Sequence, residues 1–221
     1  MPKVTQEYID NKKKFIVDAA YQVCLRKPVE MVTMTDVIEE TGLSQGGIYR
    51  FYKDLEEILS DVIAGMRLNY NIIDDMEQLF SAKEELRFEE GVHKICDILA
   101  DVMEKHLMDI QKINFDLTVL AINEPERADK IIGGIKGQSS FGYLSAVVLP
   151  NLFKESKKRK YKLRDKPENI ANFISAAYTG IEMNCILTAC YKAPMGAHCK
   201  PGPLFDTLAR SIICLCGGEE K

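Results

Sequence analysis

Residues 33–59, TMTDVIEETGLSQGGIYRFYKDLEEIL, predict two short helices joined by a tight turn. Thr33 is a suitable N-cap for the first helix, and Asp36 places a carboxylate near its positive end. Gly42 ends that helix, because glycine takes the positive φ of a tight turn without strain. Ser44 is the N-cap of the second helix, and Asp54 is expected to cap a longer helix that follows.

The two short helices have an apolar side and a polar side. Four apolar residues are expected to pack them together and onto the preceding helix: Val37, Leu43, Ile48 and Phe51. The solvent face of the second helix carries small and polar residues: Ser44, Gln45, Gly46, Gly47 and Arg50. Such a face suits entry into the major groove of DNA, where small residues allow close approach and polar groups read base edges. The two glycines fit equally well in a short helix that merely tolerates them.

The remaining sequence also has helical periodicity, so we expect an all-α protein. A first helix over about 8–25 ends before Pro28, and the helix capped by Asp54 is expected to run to about residue 80. Further helices are predicted near 84–106, 109–123, 126–155, 168–192 and 203–216. Pro150 is expected to kink or end the third of the helices in this last series, 126–155.

The order of motifs in residues 33–59 resembles the DNA-binding domain of the TetR family of helix-turn-helix transcriptional regulators. The shared features are Thr33, which opens the helix before the turn, the Thr-Gly-Leu-Ser turn itself, the Ser-x-Gly-x-Ile-Tyr helix after it and the Glu-Glu-x-Leu segment. The resemblance implies a helix-turn-helix domain over 1–53 and a helical ligand-sensing and dimerisation domain over 54–221. The second region is similar to the family only in being helical.

The resemblance also implies roles for single residues. Thr33 and Tyr49 would touch phosphates. Six residues would lie at or near the groove: Thr35, Ser44, Gln45, Gly46, Gly47 and Arg50. Lys53 is a phosphate contact on charge alone. Leu55 and Ile38 depart from the family pattern, which usually has a lysine and a small residue at these positions.

The charge of the chain does not by itself indicate a nucleic-acid-binding protein. The net charge is −4 over 221 residues, with +1 in residues 1–53 and −5 in the rest. Binding would therefore depend on where charges and backbone amides point, and on a dimer that doubles the contacts. The first residues lack the apolar core of a signal peptide, no stretch has the length of a membrane span, and the seven scattered cysteines suit a reducing compartment. We expect a cytoplasmic protein.

The resemblance implies a small-molecule effector, a homodimer formed by the last two helices, and a pseudo-palindromic operator that a repressor leaves when the effector binds. Methionine and aromatic side chains suit an adaptable apolar pocket. The candidate pocket residues are Met66, Met103, Phe115, Asp116, Phe141, Phe173 and Glu182, where the two acids would meet a cationic group or point to solvent. We predict an apolar or amphipathic effector, no cofactor, no metal and no catalytic residues.

Three alternatives remain open at this point. The C-terminal cysteines with His198 would allow a metal or thiol sensor on the same DNA-binding head, although no paired C-x-x-C occurs. A helical scaffold with a degenerate head is favoured by Leu55 and by the near-neutral charge of residues 1–53. An enzyme would need a catalytic constellation that the spacing of residues does not indicate. The basic stretch 154–166 is interpreted as a solvated, mobile loop.

Overall fold

The computed structural model describes residues 5–69, 72–81, 86–135, 140–191 and 199–219, and these are helical with no strand. The predicted all-α class is confirmed. Twelve α-helices are found in the described residues: α1 Gln6–Arg26, α2 Met34–Thr41, α3 Gln45–Tyr49, α4 Leu55–Asn69, α5 Ile72–Ser81, α6 Phe88–Lys105, α7 Lys112–Asn123, α8 Pro125–Ile132, α9 Ser140–Tyr143, α10 Leu149–Lys158, α11 Pro167–Tyr191 and α12 Pro201–Leu215.

The chain divides into two compact units that are not contiguous in sequence. Unit 1 comprises Met1–Asn69 and Lys112–Gly137, and unit 2 comprises Tyr70–Gln111 and Gln138–Lys221. Helices α1 to α4 therefore pack together with α7 and α8. The functional boundary expected after residue 53 stays a prediction.

Unit 1 is built around α1, which packs on α2 and α4. Ile16, Ala20 and Val23 lie on one face of α1 at spacings of three and four residues, and all three are buried. Helix α4 packs on α8, and α7 packs on both α8 and the 3₁₀ turn Val29–Met31. The helices distant in sequence thus complete the core around the predicted helix-turn-helix.

Unit 2 depends most on the pairing of α6 with α12. Apolar residues of α6 recur at intervals of three and four and are buried: Phe88, Val92, Cys96, Leu99 and Met103. The facing stripe of α12 is formed by Phe205, Leu208, Ala209, Ile212 and Ile213. Burial of these two stripes provides the main hydrophobic stabilisation of the unit.

The predicted single helix over 126–155 is wrong. Helix α8 ends at Ile132, where Gly133 and Gly134 form a turn, and α9, a π-helical segment Leu144–Val148 and α10 follow. Apolar periodicity continues through both glycines, so the break is not visible in the hydrophobic pattern. Pro150 is the second residue of α10, which directly follows the π-helical segment, and the helical run continues through it to Lys158, so the helix does not end at this proline.

The predicted helix from Asp54 to about residue 80 is present as α4 and α5, and residues 70 and 71 between them lie outside the described residues. The cap is as expected, since the Glu57 N–H donates to Asp54 Oδ1 at 2.9 Å.

The basic stretch 154–166 has exposed basic side chains, but the predicted mobile loop is wrong for residues 154–158, which belong to α10, and the backbone of the stretch is anchored. The Arg164 N–H donates to the Leu215 carbonyl at 2.9 Å, and Ser156 Oγ donates to the Cys216 carbonyl at 2.7 Å. Gly217, with φ of 85°, lies directly against the backbone of Lys162. The end of α12 therefore holds the stretch in place.

Gly217→Ala tests this anchor. We expect a loss of at least about 1–2 kcal/mol in the free energy of unfolding, because alanine is strained at this φ and its Cβ would overlap the Lys162 carbonyl. Gly91→Ala is the matched control: it lies inside α6 with open space around an added Cβ, so a gain of about 0.5–1 kcal/mol is expected. Urea unfolding measures both. Equal effects of the two substitutions would contradict the anchoring role.

Candidate nucleic-acid interface

Helix α2 begins in a reciprocal capping box. The Asp36 N–H donates to Thr33 Oγ1 at 3.3 Å, while the Thr33 N–H and hydroxyl both donate to Asp36 Oδ2 at 2.7 Å. The box satisfies backbone donors that the first turn of a helix leaves unpaired. It holds Thr33 exposed at the start of α2, where a phosphate contact was predicted.

Two ion pairs attach α2 to the end of α1. Lys27 Nζ lies 2.7 Å from Asp36 Oδ2, and Arg26 pairs with Glu40. Hydrogen bonds from Lys27 first, and from Thr33 second, lower the pKa of Asp36 from 3.8 to about 2. Asp36 is therefore both the capping carboxylate and the link to α1, and its charged form is the one that holds these contacts.

The turn between α2 and α3 depends on Gly42, which has a left-handed backbone with φ of 66° and ψ of 10°. Thr41 Oγ1 donates to the Val37 carbonyl at 2.8 Å and accepts from the Leu43 N–H at 3.2 Å. These hydrogen bonds close the end of α2 and direct the chain into Ser44.

Helix α3 has five residues and is capped by Ser44, whose Oγ accepts from the Gly47 N–H at 3.2 Å. Ile48 is fully buried and attaches the helix to the core of unit 1. The opposite side of the helix is exposed, including Gln45 and Arg50. The arrangement predicted from the sequence, with an apolar inner side and a small, polar outer side, is present.

All nine predicted DNA-contacting residues lie on α2, α3 or the segments next to them. Eight are exposed: Thr33, Thr35, Ser44, Gln45, Gly46, Tyr49, Arg50 and Lys53. Gly47 is partly buried. Their contact with DNA stays a prediction.

The two glycines of α3 differ in their surroundings. A Cβ added at Gly46 would have no atom within 4 Å, whereas one at Gly47 would lie 3.3 Å from Ser44 Oγ and 3.6 Å from Leu43 Cβ. Nothing in the folded chain therefore requires glycine at position 46. Gly47 has a local reason, because a side chain there would crowd the cap.

The segment after α3 is fixed by Tyr52. Its ring is 1% exposed, its hydroxyl donates to Asp61 Oδ2 at 2.8 Å, and Lys13 Nζ lies 4.6 Å from the ring centroid. Burial, and then the hydrogen bond to Asp61, raise the pKa of Tyr52. The neighbouring Lys53 has its backbone N–H bonded to Glu57 Oε2 at 2.9 Å and leaves its side chain exposed.

Arg127 of α8 supports the predicted interface and was not identified from the sequence. Its Nε lies 3.0 Å from Glu56 Oε1 at the start of α4, and one terminal nitrogen donates to the Glu30 carbonyl at 2.9 Å. Glu30 is three residues before Thr33. The contacts span 71 and 97 residues of sequence, so no local pattern indicates them.

The predicted pocket residues in unit 1 have ordinary structural surroundings. Met66 is buried in α4, and Phe115 is partly buried in α7. Asp116 forms an ion pair with Lys112 one helical turn away, with 3.1 Å between Oδ2 and Nζ. Asp116 thus already has a cationic partner within its own helix.

The predicted pocket residues in unit 2 differ in their exposure to solvent. Met103 is fully buried in the core. Phe173 is 48% exposed on α11 and lines an open groove beside α12. Glu182 is partly buried, and this burial raises its pKa from 4.5 to about 7. The side chain of Phe141 lies outside the described residues.

Unit 2 contains a cavity of about 50 Å³ that these predictions did not locate. Its walls are mainly apolar and come from α6, the π-helical segment, α10, α11 and α12. The lining includes Ile95, Leu99, Val148, Leu152, Tyr178 and Leu208. None of the six predicted pocket residues with described side chains is among the residues that line it.

The buried cysteines do not have the properties of reactive thiols. Burial raises the pKa of Cys24 and Cys96 to about 12, and that of Cys185 and Cys216 to about 11. Because the thiolate is the nucleophile, these four groups are poorly suited to redox sensing at neutral pH. Within the described residues, no group of three or more His, Cys, Asp or Glu side chains is arranged to hold a metal ion.

Solved structures with a similar arrangement of helices identify the fold. A protein of Mesorhizobium loti described as a TetR-family transcriptional regulator has a TM-score of 0.66 and 15% identity, over 95% of this chain and 98% of that one. The chain has the fold of the TetR family. The fatty acid degradation regulator FadR of Bacillus halodurans is also similar in structure, with a TM-score of 0.61 and 16% identity over 91% of this chain and 94% of its own.

Sequence comparison agrees with the TetR-type fold and covers less of the chain. An uncharacterised HTH-type transcriptional regulator of Bacillus subtilis, YfiR, is 34% identical over 115 residues, which are 48% of this chain. The chain spans about half the length of that relative, 55%. No family model matches the chain. Among the described residues, no helix has the length and apolar character needed to cross a lipid bilayer.

Asp36→Asn tests the capping box through its pH dependence. The folded-state pKa is lowered from 3.8 to about 2, so the stabilisation is present above pH 4 or so and is lost as pH falls towards about 2. We expect the variant to unfold at a lower temperature than the wild type at pH 7. It should also lack the part of the acid-dependent loss of stability that comes from protonation of Asp36. Calorimetry between pH 2 and about 7 measures both.

Glu39→Gln is the matched control, since Glu39 is an exposed acid of α2 that makes no hydrogen bond or ion pair within the described residues. It should keep the wild-type pH profile. If Asp36→Asn also kept that profile, the capping role would be contradicted.

Proposed function

We propose that the chain is a ligand-responsive transcriptional regulator, acting as a repressor in the cytoplasm, that binds duplex DNA through α2 and α3. The observation that carries the proposal is the rigidly capped α3, which has an apolar inner side in the core and an exposed outer side where Gly46 has no structural reason to be glycine. A helix with this profile can bring its backbone close to base edges. The TetR-type fold and the HTH-type relative support the same class.

The contacts divide into two kinds. Thr33, Tyr49 and Lys53 would position the protein on phosphates, which gives affinity without sequence preference. Thr35, Gln45 and the exposed side of α3, with Arg50, would face the groove and discriminate between bases. With a charge of only +1 in residues 1–53, one head has little electrostatic affinity.

A homodimer would supply the missing affinity by doubling the phosphate contacts. We propose that α11 and α12 form its interface. Large apolar residues of α11 are exposed on the single chain: Phe173 at 48%, Leu187 at 42% and Met183 at 40%. Burial of this face against a second copy would place two recognition helices about 34 Å apart, in successive major grooves of a pseudo-palindromic operator.

The cavity of unit 2 supports an effector site. A small apolar or amphipathic molecule bound there would lower DNA affinity by favouring a conformation that fits the operator less well. The ligand can act only through its different affinity for the DNA-bound and released conformations.

Gln45→Ala and Lys53→Ala separate base reading from phosphate binding. With Gln45→Ala we expect a loss of discrimination of about 1–3 kcal/mol at one base pair of each half-site. With Lys53→Ala we expect weaker binding to all sequences. The slope of log affinity against log salt concentration should become smaller by about 1 for each DNA-binding unit. Fluorescence anisotropy over several salt concentrations measures both, on duplexes selected by the wild-type protein from a random pool. Wild-type binding by both variants would show that α3 is not the reading helix.

Gly46→Ala tests close approach to DNA. Alanine should raise the free energy of unfolding by up to about 1 kcal/mol, because it is the better helix former and meets nothing within 4 Å. We expect DNA affinity to fall at least tenfold, since the new Cβ would lie between the backbone and the bases. Gly65→Ala in α4, which also has open space, should raise stability without this loss. Unchanged DNA binding by Gly46→Ala would indicate that glycine at position 46 is only tolerated in the helix and is not needed for close approach to DNA.

A further inference from the structure

Unit 2 has another open groove at its surface, of about 380 Å³ and distinct from the one that Phe173 lines. Residues from α5, α6 and α10 form its walls. One part is apolar and includes Leu79, Phe80 and Phe88. The other part carries the cationic side chains of Arg87, Lys158 and Arg159. The groove is therefore amphipathic, whereas the walls of the cavity are mainly apolar.

The groove and the cavity are adjacent. Ile95 of α6 and Leu152 of α10 line both spaces. Ile95 is 5% exposed and Leu152 is 7% exposed, so each is a buried side chain with one side towards the groove and the other towards the cavity. An apolar chain bound in the groove would therefore lie beside side chains that also form the cavity wall.

The rim of the groove has an excess of positive charge. Among the described residues that line it, three have basic side chains and one, Glu155, has a carboxylate. Lys158 pairs with Glu155, and Arg87 pairs with Glu90, but Lys158 and Arg87 remain about 60% exposed. Arg159 donates one hydrogen bond, at 2.8 Å, to the Leu86 carbonyl. A guanidinium has five N–H donors, so Arg159 has further donors to which the described residues offer no hydrogen bond, and an anion could accept from them.

The surroundings of the rim increase this positive potential. The stretch 154–166 contains eight basic and two acidic residues, and all eight basic residues are exposed. Hydrogen bonds to the end of α12 and to Leu86 hold this stretch in position. Positive charge is thus concentrated beside an apolar opening, although the whole chain has a charge of −4.

We infer that the effector is a single-chain amphiphile with an anionic head, which binds with its head at Lys158 and Arg159 and its chain directed past Ile95 and Leu152 into the cavity. This inference rests on the proposed function and names the chemical class of its ligand. A neutral ligand would gain nothing from the cationic rim, and a cationic one would be repelled. A small polar anion would leave the apolar wall and the cavity unused.

The size of the cavity limits the chain. At about 10–15 Å³ for each water-sized group, 50 Å³ accommodates roughly four methylene-sized groups. Each methylene that passes from water into an apolar site strengthens binding about fourfold. Affinity should therefore rise at this rate along a series of carboxylates and then level off when the cavity is full.

Isothermal titration of the full chain with ten-carbon probes tests the head group. Decanoate, decyl phosphate, decanol and decyltrimethylammonium share one chain and differ in charge. We expect decanoate and decyl phosphate to bind at least tenfold more tightly than decanol, and the cation to bind most weakly. The ratio of the two anions distinguishes a carboxylate ligand from a phosphate-bearing one. Equal affinity for decanol and decanoate would overturn the inference, as would no binding of either anion.

Two variants locate the head and the chain. Lys158→Gln combined with Arg159→Gln should weaken decanoate at least tenfold and leave decanol unchanged. Lys154→Gln combined with Lys157→Gln is the control, because these two exposed lysines of the same helix do not line the groove. Equal losses in both double variants would show general attraction rather than a site, and would overturn the inference.

Ser175→Leu places a larger apolar side chain on the cavity wall. Among hexanoate, octanoate, decanoate and dodecanoate, it should reduce the binding of the longer chains most and shorten the range over which affinity rises. An unchanged chain-length series in a folded variant, verified by its unfolding temperature, would overturn the placement of the chain in the cavity.

Titration with DNA separates this inference from the function on which it rests. If the chain binds its selected duplex but no decyl anion, the ligand class is wrong and the regulator stands. If decanoate binds as predicted but no duplex is bound specifically, the site is real and the regulatory proposal fails. Decanoate should lower the affinity for the duplex in the wild type and should fail to do so in the Lys158→Gln, Arg159→Gln variant.

Discussion

The left-handed backbone at Gly42 is the constraint on which the predicted DNA-reading surface depends. Only Gly42, Leu43 and Ser44 separate α2 from α3, so a change in one φ angle redirects the whole of α3. A helix of five residues has too few hydrogen bonds to be stable alone. Its position comes from the turn, from the cap at Ser44 and from the burial of Ile48, rather than from helix propensity.

The same dependence on context extends through unit 1. Its core combines the first four helices with α7 and α8, and Arg127 connects α8 to both the start of α4 and the carbonyl of Glu30. The capping box at Thr33 begins three residues beyond that carbonyl. A displacement of α8 would therefore strain hydrogen bonds next to the first predicted phosphate contact. The predicted interface is thus supported by residues that lie outside it.

Local chemistry explains what was predictable from the sequence. Caps at Thr33, Ser44 and Asp54 and the positive φ at Gly42 are properties of single residues and their nearest neighbours, and the structure contains all four. The break after Ile132 was missed because the apolar period continues across the Gly133-Gly134 turn. Periodicity reports which side of a helix is apolar, and it carries no information on whether the helix is continuous.

The cavity and the groove could not be predicted for a different reason. Met103 and Phe173 are equally reasonable pocket residues by type, yet one is fully buried core and the other is exposed. Whether an apolar side chain faces a neighbour, a void or solvent depends on how helices distant in sequence pack. Arg127 illustrates the same limit for polar contacts, since its partners lie 71 and 97 residues away.

Because the two units alternate along the sequence, recombination between related sequences is constrained. The backbone passes from one unit to the other three times, after residues 69, 111 and 137. Recombination between relatives with a single crossover after residue 53 or 69 would give a hybrid in which α1 to α3 meet an α7 and α8 that did not co-evolve with them. The two units are therefore poorly suited to exchange between relatives as contiguous segments of sequence.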